Sequence, residues 1–111
     1  MKKYCLALDL KEDPALIREY EEYHRDVWPE VEQSLRDAGI LKMEIYRVEN
    51  RLFMILEVRD DYSFENKKSL DTANPAVQKW EKLMDTFQKP LPGTPSGEKW
   101  RLMDKVYEFK R

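Results

Sequence analysis

The sequence predicts an α+β domain in which an antiparallel sheet carries its helices on one face, and three observations predict it. Apolar residues change period along the chain, from strand spacing to helical spacing and back. A polar pair, Glu49-Asn50, separates two strand-like runs as a hairpin turn would. Finally, 111 residues suffice for one domain with one core and are too few for two. Residues 1–111 are therefore expected to form a single unit.

The first element is a strand, Tyr4 to Leu10, closed by the polar stretch Lys11-Glu12-Asp13-Pro14. Asp13 can cap a helix there, and Pro14 can occupy its first turn. From Leu16 the apolar positions recur as Ile17, Tyr20, His24, Val27, Trp28, Val31, Leu35 and Ala38 before Gly39. This spacing predicts one helix to about Ala38, bent at Pro29. Leu41 to Val48 alternates, with Leu41, Met43 and Ile45 against Lys42, Glu44 and Tyr46, and Leu52 to Val58 follows as the second strand of a hairpin. Two short helices come next, one from Asp60-Asp61-Tyr62-Ser63 to about Leu70 and one from Asn74-Pro75 bearing Val77, Trp80, Leu83, Met84 and Phe87. Prolines 90, 92 and 95 with Gly93 and Gly97 mark an irregular loop, after which Trp100 to Phe109 has strand composition.

The resulting order, strand, helix, strand, strand, helix, strand, is the split βαβ or ferredoxin-like arrangement. Its sheet has a second face, and here that face is apolar, because Leu52-Phe53-Met54-Ile55-Leu56 puts large side chains on both sides. A homodimer packed sheet on sheet, a dimeric α/β barrel, is the simplest way to bury it.

Composition removes several classes of function. Hydrophobic residues make up 41% and charged residues 38%, the profile of a soluble globular chain, and no apolar run is long enough to span a bilayer. Two lysines precede the first apolar segment, but Asp9 interrupts it too early for a signal peptide, so a cytoplasmic protein is expected. A net charge of −2, spread along the chain, offers no footprint for nucleic acid or an anionic membrane. The lone Cys5 lies in an apolar strand and reads as an inert core thiol.

Candidate chemistry centres on Tyr20-Glu21-Glu22-Tyr23-His24-Arg25-Asp26-Val27-Trp28-Pro29. Tyr20, His24 and Trp28 are four apart and would share one helical stripe, which points the chain's only histidine inward. His24 is then either a buried packing residue or a proton-transfer residue. One histidine and one cysteine leave too few donors for a metal site, so none is expected. There is no nucleophile elbow around Ser34, Ser63, Ser69 or Ser96, and three glycines make no phosphate cradle. What remains is acid/base work by His24 in a pocket whose aromatics, Tyr20, Trp28, Tyr46 and Trp80, suit a pyranose; each of them could equally be a core residue.

These residues resemble the L-rhamnose mutarotase-like family, whose hallmark is a tyrosine, a histidine four residues later, then Trp-Pro-Glu: here Tyr20, His24 and Trp28-Pro29-Glu30. The resemblance continues through Glu44-Ile45-Tyr46, Leu52 to Glu57 and Val77 to Met84, covering nearly the whole chain. It implies a homodimer of ferredoxin-like domains that interconverts the α and β anomers of a monosaccharide, a 6-deoxyhexose, with no cofactor. By this resemblance His24 is the catalytic acid/base, and Tyr20 and Trp80 bind the sugar. Two pocket positions depart from the rhamnose-type pattern, Met43 standing in place of a tyrosine and Glu81 in place of a second tryptophan. The Pro90 to Lys99 insertion and the stretch Asp71 to Gln78 look more like the L-fucose branch, so L-fucose is favoured over L-rhamnose. The alternative is a dimeric α/β-barrel protein, ligand-binding or monooxygenase-like, that takes a flat aromatic ligand instead of a sugar. A third is an interaction module whose apolar sheet face is its whole function.

Overall fold

Alternation in the first ten residues sets the sheet. β1 (Lys2–Leu10) sends Leu6, Leu8 and Leu10 to one face, where all three are buried. In the computed structural model, which describes residues 1–111, β1 pairs antiparallel with β3 (Arg51–Val58), and β3 with β2 (Ile40–Val48). The other edge of β1 is covered in two pieces. β4 (Gln88–Lys89) pairs with Asp9 and Leu10, and β5 (Arg101–Leu102) pairs with Leu6 and Ala7.

Four helices cover the face that Leu6, Leu52, Met54, Leu56 and Val58 share: α1 (Pro14–Tyr23), α2 (Pro29–Asp37), α3 (Phe64–Thr72) and α4 (Pro75–Asp85). Three begin on side-chain caps that accept otherwise orphaned N–H groups. Asp13 accepts from Ala15 and Leu16, Ser63 from Asn66, and Asn74 from Ala76 and Val77. The α+β class and the split βαβ order are as the sequence predicts.

Three expectations are corrected. The long first helix is two helices, since Pro29 lacks an N–H and holds Trp28 in an extended conformation (φ −57°, ψ 134°). Residues 24–28 between them are non-helical, so Tyr20, His24 and Trp28 do not share one helical stripe. The third helix starts at Phe64, after the Ser63 cap, because Asp60 and Asp61 form a turn closed by the Tyr62 N–H donating to the Arg59 carbonyl. Of the last predicted strand, Trp100 to Phe109, only Arg101 and Leu102 pair in the sheet, and the Met103 N–H still donates to the Cys5 carbonyl before the chain departs.

The outer sheet face carries no helix. Along it the register aligns Tyr46 with Phe53 and Phe53 with Ala7, while Cys5 lies beside Ile55. Asp9, buried at the end of this face, is held by the Arg51 guanidinium, with Nε donating to Oδ1 at 2.7 Å and a second bond at 3.1 Å. The departing tail leaves Val106 94%, Tyr107 75% and Phe109 74% exposed.

On the inner face the core falls into two clusters of seven buried residues each. One gathers around Leu56, Val58 and Tyr62. The other gathers around Leu10, Tyr20, Trp80 and Phe87. Residues of both clusters line the cavity described next.

Candidate active site

The break between α1 and α2 places the histidine. His24 is the C-cap of α1, and its Nδ1 lies 2.8 Å from the carbonyl oxygen of Tyr20. A carbonyl only accepts, so Nδ1 carries the hydrogen and Nε2 of the neutral ring keeps a free lone pair. The ring is also held by aromatics, with its centroid 4.2 Å from the Tyr20 ring and 5.5 Å from Trp80. A histidine bound through one nitrogen and unpartnered at the other has the chemical means to take or give a proton there.

His24 and Tyr20 open onto a cavity of about 530 Å³ between the sheet and the helices, lined mainly by hydrophobic side chains. That is ample room for a monosaccharide. Five of the seven sequence-predicted residues line it: His24, Tyr20, Met43, Trp80 and Glu81. Met43 and Ile45 form the β2 wall, next to Met54 and Leu56 on β3. Tyr62, Phe64 and Lys67 close the side toward α3.

The other two lie elsewhere. Trp28 packs behind the wall, its ring 5.1 Å from Trp80 at 73°, and buttresses it without lining the cavity. Tyr46 is on the opposite sheet face, 53% exposed, with its hydroxyl donating to Glu44 Oε2. The physical reason is strand alternation: with Met43 and Ile45 facing inward, Tyr46 must face outward. Conversely, Gln88 and Trp100 line the cavity and were not singled out from the sequence. Gln88 gets there through the two-residue β4, and Trp100 through the return of the 90–99 loop, anchored where Lys99 Nζ bonds the Glu81 carbonyl and pairs with Asp85. A tryptophan closing a proline-rich loop was the available signal for Trp100; a two-residue strand leaves no periodicity to read.

Burial sets the protonation states. It pushes the His24 imidazole below its ordinary 6.5, against the opposing pull of the Tyr20 carbonyl, so the neutral ring is favoured near pH 7. It pushes the Tyr20 phenol up to about 12, so Tyr20 keeps its proton and acts as a donor. The histidine shift has a consequence for stability. As pH falls below 6.5 the unfolded chain takes up the proton first, so stability is intact above that value and is lost as pH falls toward the folded pKa. We expect the urea midpoint to drop between pH 7.5 and pH 5.5 by more in the wild-type chain than in His24→Asn; equal drops would show that His24 is not buried in its neutral form.

Four similarities to known proteins bear on the chain as a whole. The family profile of L-rhamnose mutarotase matches residues 3–109. An L-fucose mutarotase of Xanthomonas campestris pv. campestris is 47% identical over 109 residues, spanning 96% of this chain and 87% of that protein. An L-rhamnose mutarotase of Phocaeicola vulgatus is 34% identical over 94 residues, 83% of this chain and 85% of its own length. Among solved structures, an L-rhamnose mutarotase of Formosa agariphila superposes with a TM-score of 0.71 at 22% identity, covering 99% of this chain and all of the other, a likeness of fold.

Proposed function

The chain belongs to the L-rhamnose mutarotase family, and from that membership we propose that it interconverts the α and β anomers of a free 6-deoxyhexose, L-fucose first and L-rhamnose second. The observation that carries the proposal is His24 in the wall of a sugar-sized cavity, with Nδ1 committed to the Tyr20 carbonyl and Nε2 free.

Nε2 takes the proton of the anomeric hydroxyl and hands it to the ring oxygen as the C1–ring-oxygen bond breaks to give the open aldehyde. Rotation about C1–C2 presents the other carbonyl face, and the reverse proton movements close the ring. Both oxygens are bonded to the same carbon, so one imidazole can serve each in turn. Protons balance over the cycle, and no electron leaves the sugar, so neither oxidant nor cofactor is called for. Tyr20 is the phenol stacked on His24, and Glu32, Tyr62, Lys67, Glu81 and Lys99 are further polar side chains of the same cavity; with its pKa near 12, Tyr20 serves as a hydrogen-bond donor to the sugar.

The order of L-fucose before L-rhamnose rests on the greater identity to the L-fucose relative, and the choice of a 6-deoxy sugar of either kind on the β2–β3 wall. Met43, Ile45 and Met54 offer that wall no polar group, which suits a C6 methyl and leaves a C6 hydroxyl unpaired. Saturation-transfer NMR on L-fucose, L-rhamnose and L-galactose tests this directly. We expect exchange fastest for L-fucose, slower for L-rhamnose, and slower by roughly 10–100-fold for L-galactose. Acceleration of none of the three would remove the mutarotase reading.

We also propose that the chain works in the cytoplasm as a homodimer. No helix is long and apolar enough to cross a membrane, and the free thiol of Cys5 asks for no oxidising compartment. The helix-free sheet face around Phe53 and Ile55, with the exposed apolar tail, is surface that a second copy would bury. Sedimentation should find a dimer at micromolar concentration and a monomer for Phe53→Lys; a wild-type monomer would refute the assembly.

A further inference from the structure

Gln88 is out of keeping with its surroundings. It sits in β4 opposite Leu10, next to Phe87 and near Met84, where an apolar residue would extend the core, and it is only 8% exposed. It lines the cavity together with Tyr20, whose phenol its carboxamide is near enough to influence, and its Oε1 is buried without a hydrogen-bond partner.

A carboxamide has a donor end and an acceptor end, and one phenol can engage only one of them. Turning the amide over exchanges the ends without satisfying both. One buried polar atom therefore always remains over, and buried polar groups in folded proteins almost always have a partner. Gln88 lines the cavity, so a turn of its side chain lets a ligand bound there supply that partner. A pyranose supplies hydroxyls that both donate and accept, so it can complete the amide in either orientation.

We infer that Gln88 is a substrate-positioning residue whose carboxamide bridges the Tyr20 hydroxyl and one ring hydroxyl of the bound sugar, fixing the register in which the anomeric carbon meets His24. The inference rests on the sugar-mutarotase reading. It also accounts for Tyr20: the same amide that orients the sugar holds the phenol in place beside the imidazole.

The test is Gln88→Met, which keeps length and volume and removes both amide atoms, assayed by anomer exchange over a range of L-fucose concentrations. We expect KM to rise about tenfold with kcat changed less than about threefold, the size of one lost hydrogen bond to substrate. L-Fucose analogues lacking the 2-, 3- or 4-hydroxyl then locate the contact. One analogue should be weakened in the wild-type chain and weakened no further in the variant, a coupling that a merely structural residue would not produce. An active wild-type chain whose KM is unmoved by Gln88→Met, or a variant coupled to no hydroxyl, overturns this inference alone. A wild-type chain that accelerates no sugar overturns the mutarotase reading and this one with it. If the variant fails to fold, the Gln88 carboxamide resonances of the wild-type chain decide instead: they should shift at saturating L-fucose, and unmoved resonances overturn the proposal.

Discussion

His24→Asn is expected to abolish nearly all of the enzymatic anomer exchange, a loss of roughly 10²–10⁴-fold, the usual worth of a positioned general acid/base. Asparagine is the sharpest replacement here because its side-chain amide can still donate to the Tyr20 carbonyl that now binds Nδ1 at 2.8 Å. It offers nothing that titrates where Nε2 stood. The fold should survive, since a neutral polar group replaces a neutral polar group at a half-buried helix cap. The wild-type rate should also fall in acid, with its midpoint below 6.5 because burial depresses the imidazole, and this limb should be missing from the variant's residual rate. Anomer exchange of L-fucose between pH 5 and 8 for the two proteins measures both effects. A variant that keeps the full rate would make His24 a packing residue and shift the proton transfer to Tyr20 or Glu81.

Much of this site was legible from the sequence because its elements announce themselves locally. Asp13-Pro14 and Asn74-Pro75 cap and open their helices as the sequence predicts, and the dense apolar run Leu52 to Val58 has large side chains on both sheet faces. Spacing alone failed at Tyr20, His24 and Trp28. Four-residue intervals continue through the break that Pro29 imposes, so the pattern looks helical where the backbone is not. The break is what frees the Nδ1 contact to the end of α1, so the misread segment is also the functional one. Tyr46 is the opposite case: its aromatic ring suits a sugar, but strand alternation puts it on the outward Lys42–Glu44 face. The tail was misread because Val106, Tyr107 and Phe109 carry strand composition but find no partner strand within this chain. Composition predicts a tendency to pair; it does not supply the partner.

Trp80→Ala is the second large effect, and it should act on stability and on substrate together. The indole is 9% exposed and packs against three rings, edge-on to Tyr23 at 6.4 Å, His24 at 5.5 Å and Trp28 at 5.1 Å, tying α1, the 24–28 break and the start of α2 to α4. Truncating a buried tryptophan costs about 3–5 kcal/mol, against about 5–15 kcal/mol of total stability for a typical domain, so the alanine variant should unfold at a much lower urea concentration with its m-value unchanged. An unchanged urea midpoint would show that the indole is not part of the core. Trp80→Phe separates the two roles, because it keeps a ring to pack on Trp28 while withdrawing the second ring from the cavity wall. If the indole is a platform for the sugar, KM for L-fucose rises in the phenylalanine variant by more than kcat falls, since the loss is of binding shared by ground and transition states. If it only braces His24, kcat falls and KM holds. The geometry favours the first outcome: the imidazole is already fixed by the Tyr20 carbonyl and the Tyr20 ring, and Trp80 is the indole of α4 that lines the cavity.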